Sequence, residues 1–293
     1  MQGCITRSKT RAGEVEYYDP NGDPITATQE LNRIKRIAVP PAYRNVCISP
    51  IKSSRIQATA YDKRGRKQYR YSPTHKRDAT REKFRRMVSF GKALPAIRRD
   101  IRSLLEGTIM DRRKGLAMAL VDRCRFRPGA SGYVKRNGTH GAATVRSDHV
   151  TMMAAGARVS FNGKRNITNS CMIKDGKLVR ELSLLRQHQN LANPKDMNNI
   201  LPAGLFVKDM RTWGANVEFV KAFIAKPDAP IRKYLKQVST VLHNTPSVCK
   251  SSYIMPELLK FCKSNKLPPS RIRYVKGLSR HESILMNILK HIK

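Results

Sequence analysis

Acidic residues are scarce in this 293-residue chain: 21 Asp and Glu stand against 58 Lys and Arg, a formal charge of +37. The few carboxylates are spaced apart and mostly flanked by cations, so the clustered acids that hold catalytic metal in metal-dependent nucleases are missing, and no metal is implied. Cysteine is sparse too. Cys4, Cys47, Cys124, Cys171, Cys249 and Cys262 form no CxxC pair and have no His at zinc-ligand spacing, which excludes a zinc finger and leads us to expect reduced thiols. No apolar run approaches the roughly 20 residues that span a bilayer. "MQGCITRSKTRAGEV" lacks the apolar core of a signal peptide, so a soluble, intracellular protein with no membrane partner is expected. The nearest approach to a phosphate-binding loop, "GARVSFNGKR", has six residues between Gly156 and Gly163 rather than four, and Arg165 in place of the magnesium-binding Ser or Thr. ATP is not implied, and no small-molecule cofactor is expected. There is no internal repeat and no low-complexity segment.

What is present is positive charge along the whole length. Such a surplus repels itself unless a polyanion relieves it, and duplex DNA fits a long, evenly basic face. The length suffices for two domains with separate cores. Up to about His75 the chain reads as short β-like runs. "RIQATAYDKRGRKQYRY" is two alternating segments around Asp62 to Gly65, a hairpin with a basic turn. From Asp78 the apolar residues Phe84, Met87, Val88, Leu94, Ile97, Ile101, Leu104 and Leu105 recur at helical spacing, with an interruption expected at Pro95. The boundary falls near residue 77, giving a small antiparallel β domain (1–77) and a mainly helical domain (78–293). "ARVSFNGKRNITNSCMI" reads as a hairpin with Asn162-Gly163 at its turn, a small sheet inside the helical domain. Helices follow at about 180 to 192, 207 to 226 and 230 to 242. Thr245 as N-cap and Pro246 as first residue then open a short helix that carries Tyr253 near its end.

Arg, Lys and Tyr can together cleave a phosphodiester without metal: Tyr as nucleophile, guanidinium groups on the phosphoryl oxygens, and an ammonium to protonate the leaving oxygen. A single Tyr among ten is by default a half-buried helix anchor, and a single cation among 58 a solvated one. Composition does not select among them.

Five motifs do. "IAVPPAYRNVCISP" with "GRKQYRY", then "FRPGASGYVKRNGTHGAATVRSDHV", "FNGK", "KDMRTWGAN" and "HNTPSVCKSSYIMP" resemble, in order and over nearly the whole chain, the type IB DNA topoisomerases, in particular the small enzymes of poxviruses, other large DNA viruses and some bacteria. The resemblance places catalytic roles on Arg127, Lys164, Arg211, Asn244 and Tyr253. Poxvirus members carry His just before the TP pair, where this chain has Asn244. Asn can donate a hydrogen bond to a phosphoryl oxygen but cannot carry a proton, and His243, displaced by one, is read as a bystander. Ala130 stands where an Asn often follows RxG. His140, His149 and His281 sit in no ligand-like spacing.

The mechanism implied by the resemblance is attack of Tyr253 on one DNA strand, giving a 3′-phosphotyrosyl bond and a free 5′-hydroxyl, then strand rotation and religation without ATP. Arg127 and Arg211 brace the phosphate, and Lys164 protonates the leaving oxygen. The family's monomeric fold is a C-shaped clamp around duplex DNA, with "RGRKQYRY" in the major groove. Residues two apart on a strand point the same way, so Lys67, Tyr69 and Tyr71 share one face and Arg66 and Gln68 the other. Gln68, Tyr69 and Tyr71 are expected to touch bases or backbone, and Arg64, Arg66 and Lys67 phosphates. Tyr133 and Lys208 look like further DNA contacts. The location implied is with DNA in the virion and at the viral replication site, or in the bacterial nucleoid. Two alternatives compete. Tyrosine recombinases usually have HxxR where this chain has Lys208-x-x-Arg211, and a helical N-terminal domain. A DNA-packaging protein accounts for the charge but not for the hairpin Lys or the TP-to-Tyr spacing.

Overall fold

Alternating apolar residues build the first layer. In the computed structural model, which describes residues 3–9, 14–187, 189–264 and 273–291, the chain divides into two compact units at 82/83. The first contains β1 (Ile5–Lys9), β2 (Val15–Tyr18), α1 (Thr28–Ile37), β3 (Arg44–Ile48), β4 (Ile56–Tyr61) and β5 (Lys67–Tyr71). The strands form one antiparallel sheet in the order β2-β1-β3-β4-β5. Ile5, Val46, Ile48, Ala58 and Ala60 bury with Ile34 of α1. The sequence reading of this region as β alone misses α1, although Leu31, Ile34 and Ile37 already follow a helical period.

The β4–β5 hairpin is closed by one carboxylate. Asp62 Oδ1 accepts from the backbone N–H of Arg64 (2.9 Å) and Arg66 (3.0 Å), while Gly65 takes φ 69°, where a Cβ would be strained.

Helix α2 (Pro73–Leu104) runs straight through the boundary expected at 77 and through Pro95. Proline removes only one ladder hydrogen bond, and burial of Leu94 and Ile97 on either side of it holds the helix together. The second unit continues with α3 (Ile109–Cys124), α4 (Ser131–Asn137), β6 (Val150–Met153), β7 (Gly156–Asn162), β8 (Thr168–Ile173), α5 (Gly176–Ser183), α6 (Pro194–Asn198), α7 (Val207–Ala225), α8 (Ile231–Leu242), α9 (Pro246–Ser252), α10 (Pro256–Lys263) and α11 (Arg280–His291). The helix expected over 180 to 192 is shorter and earlier: Asp175 caps it by accepting from Leu178 N–H, and it stops at Ser183. His188 of that span lies outside the described residues.

α7 is the central element. Met210, Trp213, Val217, Phe219, Val220 and Phe223 are all buried, as are the polar Asp209, Arg211, Thr212 and Asn216, so the helix is enclosed on nearly every side. α2 approaches it closely at Gly91, where a Cβ would lie 2.5 Å from the Trp213 ring and 2.4 Å from Met286 Sδ of α11. Arg98 of α2 spans two acids, donating to Asp122 of α3 (2.8 and 3.1 Å) and Glu282 of α11 (2.8 and 3.0 Å).

The sheet β6-β7-β8 is an antiparallel meander, with Ala157, Val159 and Phe161 on its buried face. Its β7–β8 turn is not the two-residue Asn-Gly turn that the sequence suggests. The loop runs from Gly163 to Ile167, closed by Gly163 N–H to Ile167 O (2.9 Å), and the left-handed residues are Arg165 and Asn166. Gly163 serves a steric need instead: a Cβ there would sit 2.3 Å from Asn169 Nδ2.

Four cysteines depart from expectation. Cys4 pairs with Cys47 and Cys124 with Cys171 as disulfides, with Cα separations of 5.4 and 5.7 Å, while Cys249 and Cys262 are free and buried. The partners lie over 40 residues apart in sequence; β1–β3 register brings Cys4 to Cys47 and the packing of α3 on β8 brings Cys124 to Cys171, so local spacing carries no sign of either pair.

Candidate active site

Tyr253 sits at the C-cap of α9, as the Thr245-Pro246 start predicts: Thr245 accepts from Val248 N–H at 3.3 Å and Pro246 is the first helical residue. Its hydroxyl accepts from Arg211 Nε at 3.1 Å, and the guanidinium carbon lies 5.2 Å from the phenol ring centre. Arg211 comes from the buried face of α7 and is only 2% exposed. Its other two nitrogens are taken up by main chain: Nη1 donates to Arg125 O after α3 and Nη2 to Leu242 O at the end of α8. One guanidinium therefore joins three helix ends.

Arg127 lies in the loop between α3 and α4. Ala142 N–H donates to Arg127 O (2.8 Å) and Ala143 N–H to Pro128 O (2.7 Å), so the loop is docked by its backbone on the 141–143 turn. Gly141 permits this, since a Cβ there would lie 2.5 Å from Arg127 O. Arg127 Nη2 donates to Asn244 Oδ1 at 2.5 Å. That leaves Arg127 Nη1 and Asn244 Nδ2 buried without hydrogen-bond partners. Two open donors side by side, one of them charged, are costly in a closed protein.

Burial alone pushes the Tyr253 phenol up. The charges of Arg211 and Arg127 oppose it, with the Arg211 hydrogen bond and the nearby Asn244 amide acting in the same direction, and the net result lies below the ordinary tyrosine value. The field that would stabilise a phenolate is thus built before any substrate arrives.

Lys164 is placed differently. It is exposed on the β7–β8 turn, outside the two hydrogen-bonded pairs Arg127–Asn244 and Arg211–Tyr253. His243 holds a left-handed C-cap of α8, its Nε2 accepts from Ser170 N–H of β8 at 3.4 Å, and its ring packs 6.2 Å from Phe126.

Residues 72–251, which include Arg127, Lys164, Arg211 and Asn244 and end just before Tyr253, match the family described as eukaryotic DNA topoisomerase I, catalytic core, and residues 14–62 match bacterial DNA topoisomerase IB, N-terminal domain. The chain belongs to the type IB DNA topoisomerases. Among its relatives, the DNA topoisomerase 1B of Acanthamoeba polyphaga mimivirus is 28% identical over 300 residues, covering 90% of this chain and 89% of that protein. The DNA topoisomerase 1B of Vaccinia virus (strain Copenhagen) and the DNA topoisomerase I of Monkeypox virus are each 24% identical over 230 residues, 72% of this chain and 73% of theirs. This topoisomerase membership sets aside the recombinase and packaging readings.

The structure of the type IB chain adds positioning residues that motif reading passed over. Asn216, the last letter of "KDMRTWGAN", is fully buried. Its Nδ2 donates to Tyr253 O (2.9 Å) and Thr212 O (2.8 Å), and its Oδ1 accepts from Met255 N–H (3.0 Å). Gly214 of the same motif lets Arg125 pass, since a Cβ there would lie 2.3 Å from Arg125 Cδ. The spacing from Arg211 to Asn216 was the available signal, five residues along one helix.

In the first unit the β5 side chains fall as the period-two rule requires. Tyr69 and Tyr71 stack at 6.2 Å and Lys67 Nζ lies 5.9 Å from the Tyr69 ring centre. Tyr69 is 46% exposed and Tyr71 half-buried. Arg66 and Gln68 instead turn to Asp62, whose Oδ2 accepts from both at 2.8 and 3.0 Å. Arg64 is exposed. In the second unit Tyr133 is 53% exposed beneath Arg136, and Lys208 lies over the Phe206 ring at 4.9 Å.

Proposed function

We propose that this type IB topoisomerase relaxes supercoiled duplex DNA through a 3′-phosphotyrosyl intermediate on Tyr253. The observation that carries the reading is the pair of orphaned donors, Arg127 Nη1 and Asn244 Nδ2, beside a tyrosine hydroxyl already bonded to Arg211. A phosphodiester set beside the phenol satisfies both open donors. Tyr253 Oη attacks phosphorus as its proton passes to solvent water, the P–O5′ bond breaks, and the 5′ oxygen takes a proton from Lys164 Nζ. The 3′-phosphotyrosyl bond keeps the energy of the broken ester, so the 5′-hydroxyl can reverse the step after the strand has rotated, with neither ATP nor metal. Arg127 offers Nη1 to a phosphoryl oxygen, while Arg211, whose nitrogens are engaged by Tyr253 Oη and two main-chain carbonyls, contributes its fixed positive charge beside the phenol.

Lys164 on its exposed turn is free to be placed against the leaving oxygen as DNA arrives. The β4–β5 hairpin of the first unit enters the major groove, with Gln68, Tyr69 and Tyr71 toward bases or backbone and Arg64, Arg66 and Lys67 toward phosphates. Tyr133 and Lys208 add backbone contacts, and a monomer closes as a C-shaped clamp. Its place is with DNA inside the cell, at the viral replication site and in the virion.

The test uses supercoiled plasmid in EDTA without nucleotide. Relaxation, together with a covalent adduct that survives SDS, is the expected result. Tyr253→Phe should bind the plasmid and yield no adduct; an adduct from that variant refutes the nucleophile.

A further inference from the structure

We propose that Lys83 is a positioning residue for the nucleophile, a cationic latch that fixes the main chain on the N-terminal side of Tyr253. The inference rests on the reading of Tyr253 as the attacking group. Lys83 Nζ, from the first turns of α2 within the second unit, donates to Ser252 O at 2.7 Å. Ser252 is the last residue of α9 and shares its peptide group with Tyr253. The last turn of that helix needs such a partner: Tyr253 N–H and Ile254 N–H both donate to Cys249 O, at 3.0 Å each, and leave the later carbonyls open. A cation at a helix C-terminus also meets the negative end of the dipole.

The two carbonyls flanking Tyr253 are therefore held from opposite sequence directions, Ser252 O by Lys83 and Tyr253 O by Asn216. With both pinned, the aromatic ring swings only about its own side-chain bonds. Lys83 is itself fixed. Its Nζ lies 4.1 Å from the Phe84 ring centre, and the charged groups facing it are Arg86 on α2 and Lys208 and Asp209 on α7. Asp209 is fully buried, receives Phe206 N–H at 3.0 Å and Arg86 Nε at 3.3 Å, and its charge favours the ammonium. Burial, with Arg86 and Lys208 adding to it and Asp209 opposing, brings the Lys83 ammonium down to about 8. The latch is a charge-assisted bond below that pH and an ordinary amine bond above it.

The experiment measures the single-turnover rate of SDS-stable adduct formation on supercoiled plasmid, together with plasmid affinity and thermal melting, for the full chain and for Lys83→Met and Lys83→Arg. Misplacing a reacting atom by about 1 Å costs up to roughly hundredfold. Lys83→Met should therefore lose roughly tenfold to hundredfold in rate with affinity within about threefold of the parent. Lys83→Arg should recover most of the rate and keep it at pH values above 8, where the parent declines. The proposal is overturned if Lys83→Met forms adduct at the parental rate, if its loss lies only in affinity, or if Lys83→Arg leaves both the rate and the alkaline limb as Lys83→Met has them. Should Lys83→Met melt far below the parent, the rate and pH profile of Lys83→Arg decide. An absence of adduct from the parent chain would instead refute Tyr253 as nucleophile.

Discussion

Replacing Asn216 by Ala removes three hydrogen bonds from the heart of the second unit. Thr212 O is least affected, because it also belongs to the α7 ladder. Tyr253 O and Met255 N–H lose their side-chain partner in a region where Asn216 and Met255 are buried. Each orphaned backbone group costs about 1 to 3 kcal/mol, so the two together predict a loss of about 2 to 6 kcal/mol. For a unit of 211 residues, Lys83 to Lys293, each kcal/mol lowers the midpoint by roughly 2 to 4 °C, and a fall on the order of ten degrees is expected. Asn216→Asp separates the two bonds. Its carboxylate still accepts from Met255 N–H but offers Tyr253 O no donor and faces it with negative charge. Asn216→Asp should therefore melt no higher than Asn216→Ala, since an ionised carboxylate is buried in place of the amide, and form adduct as slowly or more slowly. Calorimetry and SDS-trapped adduct kinetics read the two effects. If Asn216→Ala melts within two degrees of the parent and cleaves at the same rate, the buried amide does not hold the nucleophile and the reasoning fails.

Glu282 offers a pH test. Burial pushes its carboxyl up, but Arg98 and the Ser279 contacts more than offset this and bring it to about 2. A carboxylate depressed from 4.5 to about 2 contributes about 3 kcal/mol, fully present above the unfolded value and lost as pH falls toward 2. Parental stability should fall through that window more steeply than that of Glu282→Gln, by acid denaturation; equal slopes would refute the linkage. Gly163→Ala should disturb the turn that carries Lys164, because the new Cβ meets Asn169 Nδ2 at 2.3 Å. Adduct formation should slow with plasmid affinity unchanged, and parental kinetics would show that the close approach is dispensable.

Motif order carried the site further than periodicity carried the fold. Arg127, Arg211, Asn244 and Tyr253 converge although they span more than 120 residues of sequence, because the motifs also hold glycines or caps that place them, such as Gly141 beneath Arg127 or Thr245 ahead of Tyr253. The helices over 207 to 226 and 230 to 242 were legible because their apolar residues recur at helical spacing. Pro95 misled because a local rule was outweighed by burial on both sides of it, and Asn162-Gly163 because Gly163 answers to a neighbouring side chain rather than to φ. The cysteine pairs and the Lys83 latch were illegible in principle. Both depend on residues that only the tertiary register makes neighbours, and a short window of sequence holds no trace of them.

Arg211 binds the ends of α3, α8 and α9 through one planar group. Its consequence concerns the order in which the molecule becomes dangerous. A chain still folding has the tyrosine but not the guanidinium beside it, since residues 125, 211, 242 and 253 must all arrive before the phenol is paired. Until then the phenol keeps its ordinary acidity near 10 and stays protonated at neutral pH. The contact that pairs the phenol is also among those that close the core, so on the proposed mechanism a half-made molecule can cling to DNA by charge alone yet leaves the strand intact.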